Sequence, residues 1–564
     1  MSQFASVAPA APTVSAALAG ALARHTAQGF ARIARVNATL VTDLEQHGIG
    51  VTMVGHEVAT IASADAFARA TGTLAVAVTT TGPGFTNALT ALAETTRARV
   101  PLIVLAADAP TTGNRPWDVD QEMLAAALGV RTLTVTPDNI DAIVDRAVDS
   151  ALRTRRPVVL SVAIDVIGAP ASLTDSRGID LSDPAVIRSL SAATLPSAAA
   201  VPAAIPHPPT GVNPVERTSA VQALTVAMRP VIIAGRGAWL SGAATELGLM
   251  ADALGAITAT TALARGIFPA QHFDVGVVGG LGQDAAMRLI SEADAVLVVG
   301  ASLNSFTTAG GTLFGPHTTV VRIDVDDVPA PEADHEIVQH RLRGDASAVL
   351  RELRETLALS RPAPSGWRER VPGLEPGGAL RVRDTGFVEH PTGICADGLL
   401  DPRSVATRLA ELLPLDRYVA TDGGSAIAWS GRYWSVASPA RSIMVGSAFR
   451  AFGLGCASIA GVAAAAPGST AVLSTGSDPG LQALDDVETA IRTAQRCVIV
   501  VWNDGSSAAD FAALANALGA QGVSVTELAH LDALAAWSAA GGTGTILLDC
   551  RVSPTVPSYV PRTH

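Results

Sequence analysis

Glu57 is the residue whose type and setting most invite acid–base chemistry. It follows Gly55-His56 in the phrase GHEVATIASADAFARATG, where a strand over Gly50–Val54 gives way to a helix. A carboxylate at a strand-to-helix junction between apolar surfaces is either a helix-start charge or a group that handles a proton. The helix it opens carries Ala59, Ile61, Ala62, Ala66, Phe67 and Ala70 at spacings suited to close packing. It stops at Thr71-Gly72, where glycine takes the left-handed conformation. A β-branched strand over Leu74–Thr80 follows and runs into the turn Gly82-Pro83-Gly84, just before Asn87. Of the 11 histidines, only His56 stands beside this candidate, and its expected state is exposed or satisfied in the core. Cys395, Cys456, Cys497 and Cys550 lie far apart with no CxxC spacing, which argues against a zinc site or a disulfide framework.

The elements that must position Glu57 belong to a chain of 564 residues, long enough for three domains. With 48% hydrophobic and only 16% charged residues, much of its surface is expected in a large core or between subunits. The net charge of −12 argues against a nucleic-acid surface. No uncharged apolar run reaches the roughly 18 residues of a membrane span. The N-terminus lacks the basic region of a secretory signal, so a soluble cytoplasmic protein is expected. Apolar strands alternate with helical spacers, which predicts parallel α/β sheets. The first domain takes residues 1–167, with a loose tail over 1–12, a helix at Val14–His25, a short strand at Phe30–Val36 and a closing strand at Val158–Ile164. Residues 168–215, rich in Pro, Ala and Ser, read as a linker. A second α/β unit over 216–355 is opened by the run Arg229–Gly237, with strands following at Ile257–Thr261, Ala295–Val299 and Val320–Val325. Its Gly235-x-Gly237 pair falls short of a dinucleotide fingerprint. A second linker, 356–400, precedes a third unit over 401–564.

The phrase around Glu57, with TTTGPGFTNALTALAETTRARVPLIVLAADAP after it, resembles the pyrimidine-binding domain of thiamine diphosphate (ThDP) enzymes, the acetolactate synthase group in particular. The resemblance spans roughly residues 14–550 and implies three doubly wound parallel-sheet α/β domains in the order pyrimidine-binding, central and diphosphate-binding. It implies that Glu57 hydrogen-bonds a ring nitrogen of the cofactor's aminopyrimidine and promotes the tautomer that deprotonates the thiazolium carbon. It likewise places Gly82, Pro83, Asn87, Gln121, Gly424, Ser425 and Ser447 against the cofactor. Phe452, before Gly453 in GSAFRAFGLGCASIAGVAAA, is either the wedge beneath the cofactor or a core-packing residue.

The family's GDG…NN signature, whose side chains hold Mg²⁺ on the diphosphate, becomes Gly476-Ser477-Asp478 and Asn503-Asp504, with register set by DVETAIR at Asp486–Arg492. Hard oxygen ligands suit Mg²⁺. One account moves the single negative ligand from one strand end to the other, so that Asp504, the Ser477 hydroxyl and a carbonyl near Ser506 hold Mg²⁺ or another divalent ion, with Gly476, Ser477, Asp478 and Asp504 facing the diphosphate. The other account makes them ordinary strand-end polar residues. Three further departures stand out. The glycine-rich turn after the first strand is replaced by Arg35-Val36-Asn37-Ala38. Only Gly505–Ala509 separate Asp504 from Asp510, so the family's long cover over the site is missing. In FAD-holding members a distinct run follows the central AVGA-like strand; here it is Ser302-Leu303-Asn304-Ser305, and FAD is not supported.

The resemblance implies a ThDP- and metal-dependent enzyme acting on a small 2-oxo acid, with decarboxylation and carboligation, in a homodimer or homotetramer whose site lies between subunits. Two alternatives stay open: a non-catalytic or weakly ThDP-binding relative that works through protein assembly, and a ThDP lyase or decarboxylase with a different substrate.

Overall fold

The computed structural model describes residues 11–558 apart from 33, 36, 114, 173–211, 269–272, 361–362, 376–379, 381–391 and 425–426. Among these the strands fall into three six-stranded sheets. The first contains β1 (Gln28–Ala31), β2 (Gly50–Met53), β3 (Val76–Thr79), β4 (Ile103–Asp108), β5 (Arg131–Thr134) and β6 (Val158–Ala163), in the order β2-β1-β3-β4-β6-β5 with parallel pairing. The second contains β7 (Pro230–Ala234), β8 (Ile257–Thr260), β9 (Asp274–Val277), β10 (Ala295–Val299), β11 (Thr319–Asp324) and β12 (Val338–Arg343), ordered β12-β11-β10-β7-β8-β9 and again parallel. The third contains β13 (Arg417–Thr421), β14 (Ser442–Ile443), β15 (Thr470–Gly476), β16 (Arg496–Asn503), β17 (Gln521–Val525) and β18 (Gly544–Arg551), ordered β14-β13-β15-β16-β18-β17.

Apolar strands bury both faces because helices cover both. In β7 and β10, Ile232, Ala234, Leu297 and Val299 enter one core cluster, while Val231, Ile233, Val296 and Val298 enter another. In the first sheet the order reverses between β1 and β3, and in the third between β13 and β15. Loops at the carboxyl ends of strands beside such a reversal leave a crevice in which open α/β sheets bind ligands. The corresponding loops of the second sheet are packed shut at its glycines: a Cβ on Gly235 would lie 2.2 Å from the Gly300 carbonyl oxygen, and one on Gly237 2.8 Å from Gly300 Cα. This pair serves close backbone packing.

Several element limits differ from expectation. The first strand ends at Ala31 instead of reaching Val36, which itself lies outside the described residues. Gly82-Pro83-Gly84 is no free turn; Pro83–Asn87 winds into a short helix, with proline at a position where its missing N–H costs nothing. The second linker is partly structured: the Ala346–Ser360 helix runs into it, and Trp367 and Leu374 pack into the second sheet's core. Of the first linker, 173–211 lie outside the described residues, and its end is the start of the Pro214–Val226 helix.

The chain divides into two compact units. The first comprises the described residues of Met1–Ile205 with Met444–Leu473 and Pro479–Cys497; the second comprises those of Pro206–Ile443, Ser474–Asp478 and Val498–His564. In the first unit the Glu57–Thr71 helix packs against the Leu454–Ala465 helix, although sequence separates them widely. Ser63 Oγ donates to the Ala457 carbonyl at 2.8 Å. A Cβ on Gly461 would lie 1.9 Å from the Ser63 carbonyl oxygen. Gly461→Ala is therefore expected to force the helices apart and cost about 1–3 kcal/mol. The check is thermal melting against Gly468→Ala, whose Cβ would meet open space and which should melt like the parent.

Candidate active site

In the first unit, β2 ends at Met53, and the chain turns through Gly55 into the Glu57–Thr71 helix. His56 is the N-cap, its Nδ1 accepting the Val58 N–H at 3.3 Å, which accounts for this histidine structurally. The helix ends at Gly72 with φ +74°, as its sequence predicts. Gly55 N–H donates to Thr489 Oγ1 at 3.0 Å, so the Leu484–Thr493 helix pins the residue just before the site.

Glu57 is buried. Its Oε1 accepts from Arg32 Nη1 at 2.8 Å, and its Oε2 has a long contact of 3.4 Å from Asn87 Nδ2. Asn87 and Pro83 are exposed beside it, on the short helix after β3. The glycines here allow close packing. A Cβ on Gly84 would sit 1.7 Å from Thr80 Oγ1 and 3.3 Å from Glu57 Oε1. Gly82 has φ +61°, and its Cβ would fall 2.4 Å from the Trp117 carbonyl oxygen. Gln121 is buried and committed to backbone, its Oε1 accepting Gly82 N–H at 3.1 Å and its Nε2 donating to the Ala107 carbonyl at 3.0 Å. It shapes the glycine turn.

Arg32, at the carboxyl end of β1, is the residue that sequence reasoning missed. Its Nε donates to the Gly55 carbonyl at 2.9 Å, and its own carbonyl accepts Asn37 Nδ2 at 3.0 Å. The fully buried Asn37 also accepts Ala34 N–H at 2.8 Å through Oδ1. This amide closes, through a side chain, the loop that glycines close in the resembled turn. The expected strand runs on to Val36 and so holds Arg32 within it; only the end of the strand at Ala31 frees this arginine for Glu57.

The first unit also carries Ser447 and Phe452. Both are exposed, with Ser447 Oγ donating to the Met444 carbonyl at 2.9 Å. Exposure of Phe452 rules out a core-packing role within this unit.

In the second unit, Ser477, Asp504 and Ser506 come together at the carboxyl ends of β15 and β16. Ser477 Oγ lies 2.8 Å from Ser506 Oγ and 3.3 Å from Asp504 Oδ1, which also accepts Ser506 N–H at 3.1 Å. The donors are all oxygen, one carboxylate and two hydroxyls, a set hard in character. Among the described residues no group of three His, Cys, Asp or Glu side chains could hold a metal. Asp478 is exposed in the Ser477–Gln482 helix after Gly476, and Gly424 is exposed after β13 with φ +98°. Ser425 lies outside the described residues.

Asn503 is buried away from these oxygens. Its Nδ2 donates to Asp549 Oδ1 at 2.9 Å, and Asp549 also accepts Phe511 N–H at 3.2 Å and pairs with Arg551 at 2.8 Å. Burial pushes the Asp549 carboxyl up, against the opposing pull of Asn503 and Arg551. Asn503 Oδ1 in turn accepts Gly505 N–H at 3.2 Å, so Asp549 orients the loop that presents Asp504. That loop, Gly505–Ala509, is as short as the sequence indicates, because Asp510 caps the next helix. Among the described residues no helix is long and apolar enough to cross a membrane.

A family model described as the thiamine pyrophosphate enzyme N-terminal TPP binding domain matches residues 12–128, and one described as the thiamine pyrophosphate enzyme central domain matches 218–353. The acetolactate synthase isozyme 3 large subunit of Escherichia coli is 27% identical over 472 residues, covering 81% of this chain and 76% of its own. The sulfoacetaldehyde acetyltransferase of Alcaligenes xylosoxydans is 24% identical over 537 residues, covering 85% and 82%. The thiamine diphosphate-dependent 4-hydroxybenzoylformate decarboxylase of Rhodococcus jostii RHA1 superposes with a TM-score of 0.71 at 18% identity, over 96% of this chain and 99% of that one. At that identity the superposition speaks for the fold alone.

Proposed function

Because this chain belongs to the thiamine diphosphate-dependent enzyme superfamily, we propose that it decarboxylates a 2-oxo acid and joins the remaining fragment to a second carbonyl compound. The observation that carries the reading is the buried Glu57 carboxylate at the β1/β3 reversal, flanked by exposed Asn87 and by the closely packed Gly82 and Gly84. These residues fit an aminopyrimidine in kind, since Glu57 Oε2 has only a long protein contact and can meet a ring nitrogen. Bound ThDP supplies the electron sink for the carbanion left when a 2-oxo acid loses CO₂.

The chain's own work is to hold and orient. Glu57 would exchange a proton with a ring nitrogen of bound ThDP. Gln121 fixes the Gly82 turn, and Pro83 and Asn87 present its outer face. Ser477, Asp504 and Ser506 would hold a divalent cation, Mg²⁺ by the hardness of the set, to offset diphosphate charge. The likeness to acetolactate synthase favours carboligation over simple decarboxylation, an argument by analogy. Exposed Trp117, Phe449 and Phe452 support assembly into a homodimer or homotetramer.

The test is a calorimetric titration of the full chain with ThDP, with and without Mg²⁺. Binding is expected only with metal, and Asp504→Ala should weaken it by about tenfold or more. Protein that binds should then release CO₂ from a panel of 2-oxo acids. Absence of binding at millimolar ThDP with Mg²⁺, Mn²⁺ or Ca²⁺ overturns the proposal.

A further inference from the structure

We infer that Arg32 is a positioning residue that pairs with the Glu57 carboxylate and sets how tightly an aminopyrimidine can bind there. The inference rests on the proposed function, to which it adds a residue that the sequence signature does not contain.

The Arg32 guanidinium is held in a built setting. Nε is spent on the Gly55 carbonyl and Nη1 on Glu57 Oε1, while the Asn37 amide fixes the loop that carries it. The side chain is nearly half exposed and Glu57 is buried, so Arg32 is the solvent-side cover of the carboxylate. Its charge-assisted bond to Glu57 competes with any other partner for that oxygen. A guanidinium has only donors, whereas an aromatic ring nitrogen needs the carboxyl to offer it a proton. The two partners therefore make opposite demands on the same group: Arg32 holds Oε1 as an acceptor, while a ring nitrogen meeting Oε2 needs the carboxyl as a donor. Arg32 is nearly half exposed and screened by solvent, which keeps its hold on Glu57 modest. Its removal from the competition then tightens the rival ligand by up to about fivefold.

The experiment is calorimetric titration of the full chain with ThDP and Mg²⁺ for the parent, Arg32→Met, Arg32→Lys, Glu57→Gln and the Arg32→Met/Glu57→Gln double variant, with cofactor-free melting curves to confirm folding. Arg32→Met is expected to bind about three- to fivefold more tightly, and Arg32→Lys, which keeps the charge but loses the fork, to fall between it and the parent. In the Glu57→Gln background, Arg32→Met should change affinity by less than twofold, because the competition has lost its object. A merely structural role would leave the same effect in both backgrounds. If Arg32→Met does not fold, Arg32→Gln takes its place in the cycle. Unchanged or weaker binding by the neutral variant, or an equal effect in both backgrounds, overturns the role of Arg32 and leaves the cofactor reading standing. Failure of the parent and every variant to bind ThDP overturns both.

Discussion

Glu57→Gln should lower the rate of CO₂ release from any accepted 2-oxo acid by about 10²–10⁴-fold, the range that a positioned general acid–base group contributes. The substitution keeps the side chain's length and one acceptor oxygen for Arg32, at the expense of the long Asn87 contact, but glutamine can neither give nor take the proton. The fold should survive. Glu57 is paired with a partly exposed arginine, so the stability cost is about 1 kcal/mol and the melting curve should move little. Single-turnover measurement at saturating ThDP and Mg²⁺ separates this loss from weaker cofactor binding. A variant that retains its rate within tenfold would make Glu57 an ordinary first-turn carboxylate at the N-terminus of its helix.

The second large effect is structural. Arg69→Met should destabilise the first unit by about 3–5 kcal/mol, because it leaves two carboxylates buried without their cation. Asp65 and Glu94 have side chains with no exposure, and Arg69 pairs with both, with Glu94 at 3.3 Å. Burial alone would depress the guanidinium, but Asp65 first and then Glu94 outweigh it and hold its pKa above the ordinary value. The same residues tie down a segment distant in sequence. Glu94 Oε2 accepts Phe449 N–H at 2.6 Å, and Arg69 Nη1 donates to the Met444 carbonyl at 3.2 Å. Hydrogen exchange should therefore rise over 444–452, the stretch that bears Ser447 and Phe452, together with a fall in melting temperature. Arg153→Ala, which removes an exposed i,i+4 pair with Asp149, should change stability by no more than about 0.5 kcal/mol. Equal effects of the two substitutions would show that the buried cluster is no more important than a surface pair.

How much of this molecule is legible in its sequence depends on the distance over which each feature is decided. Runs such as PVIIA and AVLVV mark strands covered on both faces, because only a sheet sandwiched by helices can bury every residue of a strand. The helix from Glu57 to Gly72 is readable at both ends, since capping and the left-handed glycine are set by adjacent residues. The meeting of Ser477 with Asp504 and Ser506 is also readable, as Ser477 and Asp504 directly follow strands that are neighbours in one sheet and Ser506 lies two residues on. The turn at Gly82 is misread locally, because proline at its first position favours continuation into a helical turn.

What only the tertiary structure decided is which polar groups remain available. Gln121 has the right address for a ligand contact, yet its amide is consumed by the Gly82 and Ala107 backbone. Asn503 keeps the first place of the signature, yet Asp549 draws it inward. Arg32 falls inside the expected Phe30–Val36 strand, and it becomes a partner of Glu57 because the ends of β1 and β2 lie side by side. Hydrophobic pattern and capping act over a few residues and so survive in a one-dimensional text. Hydrogen-bond satisfaction and charge pairing are settled by whichever groups the folded backbone brings within 3 Å or so of one another, over separations that no local pattern encodes.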